Sequence, residues 1–166
     1  MTTAASDSDA PRTLGSPAYL SGLLLAGRKV VVAGAGRVAA RRGPRRVRAD
    51  AVIDVIAPEL HPSLEPLAQA GAFTWQAREY RTSDLDGAWY VLALTDSAEA
   101  NAAIVADAEA LHTFCVRADK AGEGSAWTPA TGDAAGATVA AITTHDPLRA
   151  RRLRDRFIEV VDVEGL

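Results

Sequence analysis

Cysteine occurs once in this chain, as Cys115, which excludes an intrachain disulfide and any multi-cysteine metal site. Histidine is nearly as scarce. His61, His112 and His145 are scattered without a ligand spacing, so a bound structural metal is not expected. Aromatic residues make up 5% of the sequence and are not interleaved with basic ones. With a formal net charge of −3 and no zinc-finger spacing, nucleic acid is not an expected partner. No stretch approaches the roughly 20 apolar residues that span a bilayer. The N-terminal MTTAASDSDAPRTLGSP also lacks the apolar centre of a signal peptide, so the expectation is a cytoplasmic protein with no membrane partner.

What is present is enough apolar residue for one ordinary core: 48% of 166 residues are hydrophobic and 23% charged. Lys29 to Ala33 is a β-branched run without polar alternation, the pattern of a strand buried on both faces of a parallel sheet. Further strands are predicted at 51–57, 72–77, 89–95, 113–118 and 137–143. Helices are predicted directly after the first strand, near 62–70, at 97–110 and from Pro147 to about Val161, with 120–136 as a loop. The alternation predicts an α/β fold: a Rossmann-like, doubly wound parallel sheet with a short C-terminal strand/helix segment. Pro44 should kink or break the first crossover helix, and Arg41, Arg42, Arg45, Arg46 and Arg48 read as a solvated face.

After the first strand, Gly34-Ala35-Gly36-Arg37-Val38-Ala39 fits G-x-G-x-x-G/A. In that motif the first glycine makes the turn, the second admits a pyrophosphate close to the backbone, and the last position needs a small residue for helix packing. Arg37 adds a cation beside amides that already favour an anion. The alternative is a tight strand-to-helix corner with no ligand. In doubly wound sheets ligands bind outside the carboxyl ends of the strands, which here are Gly34 to Gly36, Pro58-Glu59, Thr95-Asp96 and Asp119. Thr95-Asp96 could equally cap the next helix. Neither lysine stands four residues after Tyr19, Tyr80 or Tyr90, so the Tyr-x-x-x-Lys pair of a short-chain dehydrogenase is absent. Ala33 stands where a methyltransferase using S-adenosylmethionine usually has an acidic residue.

GAGRVAARR, then VIAPEL, then DLDGAWYVLALTD with Asn101 six residues after Thr95, then FCVRAD and SAWTP, resemble the N-terminal domain of siroheme synthases. That is the precorrin-2 dehydrogenase/sirohydrochlorin ferrochelatase family, and the likeness runs from about Tyr19 to Pro129. It implies a Rossmann domain that uses NAD to oxidise precorrin-2 to sirohydrochlorin, with insertion of ferrous iron in several members. Dinucleotide binding then falls to Gly34, Gly36, Arg37, Val38, Pro58 and Glu59, with Thr95 and Asp96 beside them. The family's aspartate falls on Asp119, and substrate-binding positions on Asn101, Ser125 and His145.

Oxidation of a tetrapyrrole needs a hydride acceptor and a proton acceptor, and Asp119 is the expected base. A partly buried carboxylate facing an apolar macrocycle is expected to have a raised pKa. Capping of the glycine-rich loop is the competing role for Asp119. NAD is expected over NADP, because Pro58-Glu59-Leu60-His61 offers a carboxylate to a ribose hydroxyl and no arginine to a 2′-phosphate; Asp54 is a weaker candidate. Departures from the family pattern are Val116-Arg117-Ala118-Asp119, Ser97, and Thr143-Thr144-His145-Asp146-Pro147 in place of a Ser/Gly-rich turn. They leave a non-catalytic nucleotide- or tetrapyrrole-binding module as the rival reading.

The terminal RARRLRDRFIEVV puts Leu153, Phe157, Val160 and Val161 on one face, which packing would explain. Arg149, Arg151, Arg152, Arg154 and Arg156 lie elsewhere, as a solvated face or as partners for substrate carboxylates. Family members dimerise through this half, so a homodimer is expected. The expected division is a flexible tail over 1–17, the NAD-binding domain over 18–120, and a substrate-loop and dimerisation segment over 121–166.

Overall fold

Five strands, β1 (Lys29–Ala33), β2 (Val52–Ile56), β3 (Thr74–Gln76), β4 (Ala88–Ala93) and β5 (Phe114–Arg117), form one sheet in the order β3-β2-β1-β4-β5. Every pairing is parallel. The computed structural model describes residues 16–42, 50–144 and 146–164. β1 is central because its residues suit both faces: Val30, Val31, Val32 and Ala33 are fully buried. On one face Val30 and Val32 pack with Ile53, Val55 and Leu92, under Ala39 of helix α1 (Arg37–Arg42) and Leu64. Leu64 closes the 3₁₀ turn Pro62–Leu64 that leads into helix α2 (Glu65–Gln69). On the other face Val31, Ala33, Ile56, Val91 and Ala93 pack under Ile104 and Ala108 of helix α3 (Ala98–Ala110).

Helices on both faces of a parallel sheet make the fold doubly wound, as the alternation of elements predicted. The strand order reverses between β1 and β4, and there the crossovers leave in opposite directions. The carboxyl ends of those two strands are therefore the place to look for a ligand. Arg41 is exposed, whereas Pro44, Arg45, Arg46 and Arg48 lie outside the described residues.

The chain divides into two compact units, one over residues 22–127 and the other over the described residues before 22 and after 127. The second unit holds an antiparallel pair, β6 (Ala130–Ala134) and β7 (Ala137–Ala141), and helix α4 (Pro147–Glu164). Here the expectation of a loop over 120–136 is corrected, because its last third is β6. ATGDA carries no alternating β-branched pattern, and pairing with β7 rather than propensity makes it a strand. Ala135 and Gly136, at φ 46° and 78°, form the two-residue turn with both φ positive that suits a hairpin. Thr138 Oγ1 donates across the pair to Asp133 Oδ1 at 2.9 Å.

Gly132 lies so close to α4 that a side chain there would run into Ile158 and Arg154. Arg154 Nη1 donates to the Thr131 carbonyl at 2.6 Å. The helix face turned to the hairpin thus carries Arg154 and Ile158, and Ala150 is the buried residue one turn earlier. The expected packing of Leu153, Phe157, Val160 and Val161 is corrected for the first three, which are exposed, Phe157 by 57%, while Val161 is half-buried. A small residue and an aliphatic arginine stem serve as the packed stripe, and hydropathy alone does not mark them. Among the described residues no helix is long and apolar enough to cross a membrane.

Candidate functional site

The glycine turn is threaded between the ends of two strands. Gly34 N donates to Ile56 O at 2.8 Å and Leu94 N donates to Ala33 O at 2.8 Å, so hydrogen bonds to both neighbours of β1 continue into the turn. Gly34 has φ +98°, and a Cβ there would lie 2.6 Å from the Leu94 carbonyl carbon and oxygen and 2.7 Å from Thr95 N. Glycine is required at Gly34 by the fold itself. Gly36 differs, because a Cβ there would meet nothing within 4 Å. Space left open at the second glycine of this motif is what close approach of a pyrophosphate needs. Ala39, at 1% exposure, is the small residue that packs the helix against the sheet.

The segment after β2 is tied to this turn. His61 N donates to Ala35 O at 3.0 Å, and the His61 ring caps the following 3₁₀ turn through Ser63 N. Pro58 and Glu59 precede it and are exposed, as is Arg37, while Val38 is half-buried. After β4, Thr95 is half-buried and Asp96 exposed. The helix cap considered for Thr95-Asp96 belongs to the next residue: Ser97 Oγ accepts from Ala100 N at 3.1 Å.

Asn101 is fully buried, one turn into α3. Its Oδ1 accepts from Thr95 N at 3.0 Å and Thr95 Oγ1 at 2.7 Å, and its Nδ2 donates to Thr95 O at 3.1 Å and Asp119 Oδ1 at 2.9 Å. Those four bonds use the whole amide. Asn101 therefore joins the end of β4 to Asp119, the second residue after β5, and presents no face of its own.

Asp119 is held from its other side by Arg117, the last residue of β5. Arg117 Nε donates to Oδ1 at 3.1 Å and Nη2 to Oδ2 at 3.0 Å, a two-pronged contact. The expectation of a raised Asp119 pKa is corrected here. The Arg117 guanidinium holds the carboxyl below the usual carboxylate range, desolvation opposes it and loses, and Asn101 adds to the lowering. The side chain is 31% exposed, so burial is the lesser effect. The 3₁₀ turn after Asp119, Ala121–Glu123, has no side-chain cap.

Ser125 is not brought to these strand ends. Its Oγ accepts from Cys115 N at 2.9 Å and Ala126 N donates to Cys115 O at 3.1 Å, so this segment covers the outer edge of β5. Gly124 permits the approach, since a Cβ there would lie 2.7 Å from Cys115 O. His145 lies outside the described residues. Arg117 is the residue sequence reasoning passed over, noted only as a departure. Its signal was an arginine closing a buried strand with acids two and six residues on.

A family model described as putative NAD(P)-binding matches residues 23–130. Siroheme synthase 3 of Aeromonas hydrophila subsp. hydrophila is 34% identical over 129 residues, covering 77% of this chain and 28% of that protein. The siroheme synthase of Chromobacterium violaceum is 34% identical over 140 residues, covering 84% of this chain and 30% of that protein. The chain thus spans under a third of the length of these curated relatives. Among solved structures, the precorrin-2 dehydrogenase SirC superposes with a TM-score of 0.70 at 21% identity, over 86% of this chain and 71% of that one. That likeness is one of fold.

Proposed function

The chain belongs to the putative NAD(P)-binding family, and from that premise we propose that it oxidises precorrin-2 to sirohydrochlorin with NAD, within siroheme biosynthesis. The observation that carries the reading is the contrast at the glycine turn, beside a fixed carboxylate. Gly34 is demanded by the protein, whereas a side chain at Gly36 would meet nothing within 4 Å, which leaves the room a pyrophosphate needs. Gly34, Gly36, Arg37 and Val38 would hold the pyrophosphate, and Glu59 beside Pro58 would accept from a ribose hydroxyl. Thr95 and Asp96 follow β4, across the switch point from that turn.

When bound, oxidised NAD supplies the hydride acceptor, and the second hydrogen of the substrate leaves as a proton. Asp119 is the acceptor for that proton. Its carboxylate, ionised at neutral pH like any ordinary aspartate and held further toward the charged form by Arg117, has its orientation fixed from both sides. Pairing with a cation weakens it as a base, while the fixed position lowers the entropy cost of orienting it toward a substrate. We also propose a homodimer through the exposed Leu153, Phe157 and Val160 of α4, since an uncovered apolar stripe is a contact surface.

The test is conversion of precorrin-2 by the purified chain with NAD, followed by absorbance. Asp119→Asn should keep NAD affinity and lose roughly 10²–10⁴-fold in turnover. Unchanged turnover in that variant would reduce Asp119 to a structural carboxylate. A wild-type chain that binds NAD and does not oxidise precorrin-2 would instead be the non-catalytic binding module. Siroheme formation from sirohydrochlorin and ferrous iron, compared with the uncatalysed rate, tests whether the chain inserts iron, and the same assay on Asp119→Asn tests whether that carboxylate takes up the displaced protons.

A further inference from the structure

Arg117 is 3% exposed, and a guanidinium so buried persists only where its donors are matched. Two of its N–H groups grip the two oxygens of Asp119, at 3.1 and 3.0 Å. Nη2 also donates to Ala98 O at 2.8 Å, in the first turn of α3, and Nη1 donates to Glu123 Oε2 at 2.6 Å. The same Asp119 Oδ1 accepts from Asn101 at 2.9 Å. The carboxylate is therefore fixed by one side chain from β5 and one from α3.

We propose that Arg117 is the positioning residue of this site, holding the Asp119 carboxylate in a single orientation at the end of the sheet, beside Thr95. The inference rests on the reading of Asp119 as the proton acceptor. It goes further in assigning the orientation to a residue that the glycine turn and the strand-end rule do not select.

A merely structural role is the competing account, since Arg117 also ties β5 to α3 and to the turn at Glu123. The two accounts differ in what happens to the Asp119 carboxyl. The groups that bear on it are Arg117 from β5, Asn101 from α3, and Glu123 from the following turn, the last shared with Lys120 Nζ at 3.2 Å. The Cys115 thiol, pushed up to about 11 by burial, stays neutral.

The experiment is a carboxyl-carbon NMR titration of Asp119 in the full chain, wild type against Arg117→Gln and Arg117→Lys, with the pH profile of kcat measured in parallel. In wild type the Asp119 midpoint should lie below that of an ordinary aspartate. In Arg117→Gln it should rise toward the ordinary aspartate value. The acid limb of kcat should rise with it, while the KM for NAD stays put. Arg117→Lys should recover part of the shift, because it keeps the charge and loses the two-pronged geometry.

An unmoved Asp119 midpoint in Arg117→Gln, or a kcat lowered by the same factor at every pH, would overturn the proposal. If Arg117→Gln does not fold, the wild-type titration decides alone, and a midpoint at or above the ordinary value overturns it. The titration needs no turnover. A wild type without dehydrogenase activity therefore counts against the functional reading, while the carboxyl midpoint still judges Arg117.

Discussion

Replacing Gly34 by alanine should damage the fold, whereas the same kind of change at Gly36 should damage only ligand binding. At Gly34 the φ of +98° is one that an L-residue adopts at a cost of at least about 1–2 kcal/mol. The added methyl would also sit 2.6 Å from the Leu94 carbonyl and 2.7 Å from Thr95 N, both main-chain atoms at the end of β4 that cannot rotate away. Overpacking of that kind costs a further ~1–3 kcal/mol, for a total of about 2–5 kcal/mol. At about 2–4 °C per kcal/mol for a chain of this size, Tm should fall by roughly 4–20 °C.

Gly36→Asp has open space for its side chain, so its stability should stay within about 0.5 kcal/mol of wild type. Its carboxylate would repel a pyrophosphate, and NAD binding should be lost. Thermal melts by circular dichroism and NAD binding by calorimetry measure both quantities on the same samples. Gly34→Ala melting with wild type, or Gly36→Asp destabilised as strongly as Gly34→Ala, would refute the division of labour between the two glycines.

Glu59→Gln should weaken NAD binding and narrow its margin over NADP in parallel titrations; tighter binding of NADP by the wild type would show the ribose assignment to be wrong. Asp84 accepts from Arg78 on both oxygens, at 2.8 and 2.5 Å, and from Arg81 N at 2.8 Å, which holds its carboxyl below the ordinary value. A depressed folded pKa adds stability above the unfolded value that is lost as pH falls through the folded one. Asp84→Asn should therefore melt lower at neutral pH and lose less stability as pH falls from neutral through and below the ordinary carboxylate range; parallel declines in the two proteins would refute this. Phe157→Glu, on the exposed face of α4, should shift the sedimenting species from dimer to monomer, and a monomeric wild type at micromolar concentration would remove the dimer proposal.

The central strand and its turn were legible in the order of residues because their causes are local. A short β-branched run bounded by a glycine turn reads as a strand buried on both faces, and Gly34 marks the point where that strand must turn sharply. Asp119 could be selected too, since a strand's carboxyl end follows from where the strand stops. Its protonation could not, because the decisive partner is a guanidinium whose burial depends on α3 and the turn at Glu123 closing around it. β6 was hidden for a related reason: ATGDA is a strand by virtue of β7 and α4, not of its own propensity. Along α4, hydropathy pointed to Leu153, Phe157 and Val160, and the hairpin instead packs against Arg154 and Ile158. Periodicity marks which residues are apolar, but only the packed neighbours decide which stripe of a helix is covered. Asn101 makes the same point: a polar residue in a helical run became fully buried because four bonds, to Thr95 and Asp119 on other elements, satisfy its amide.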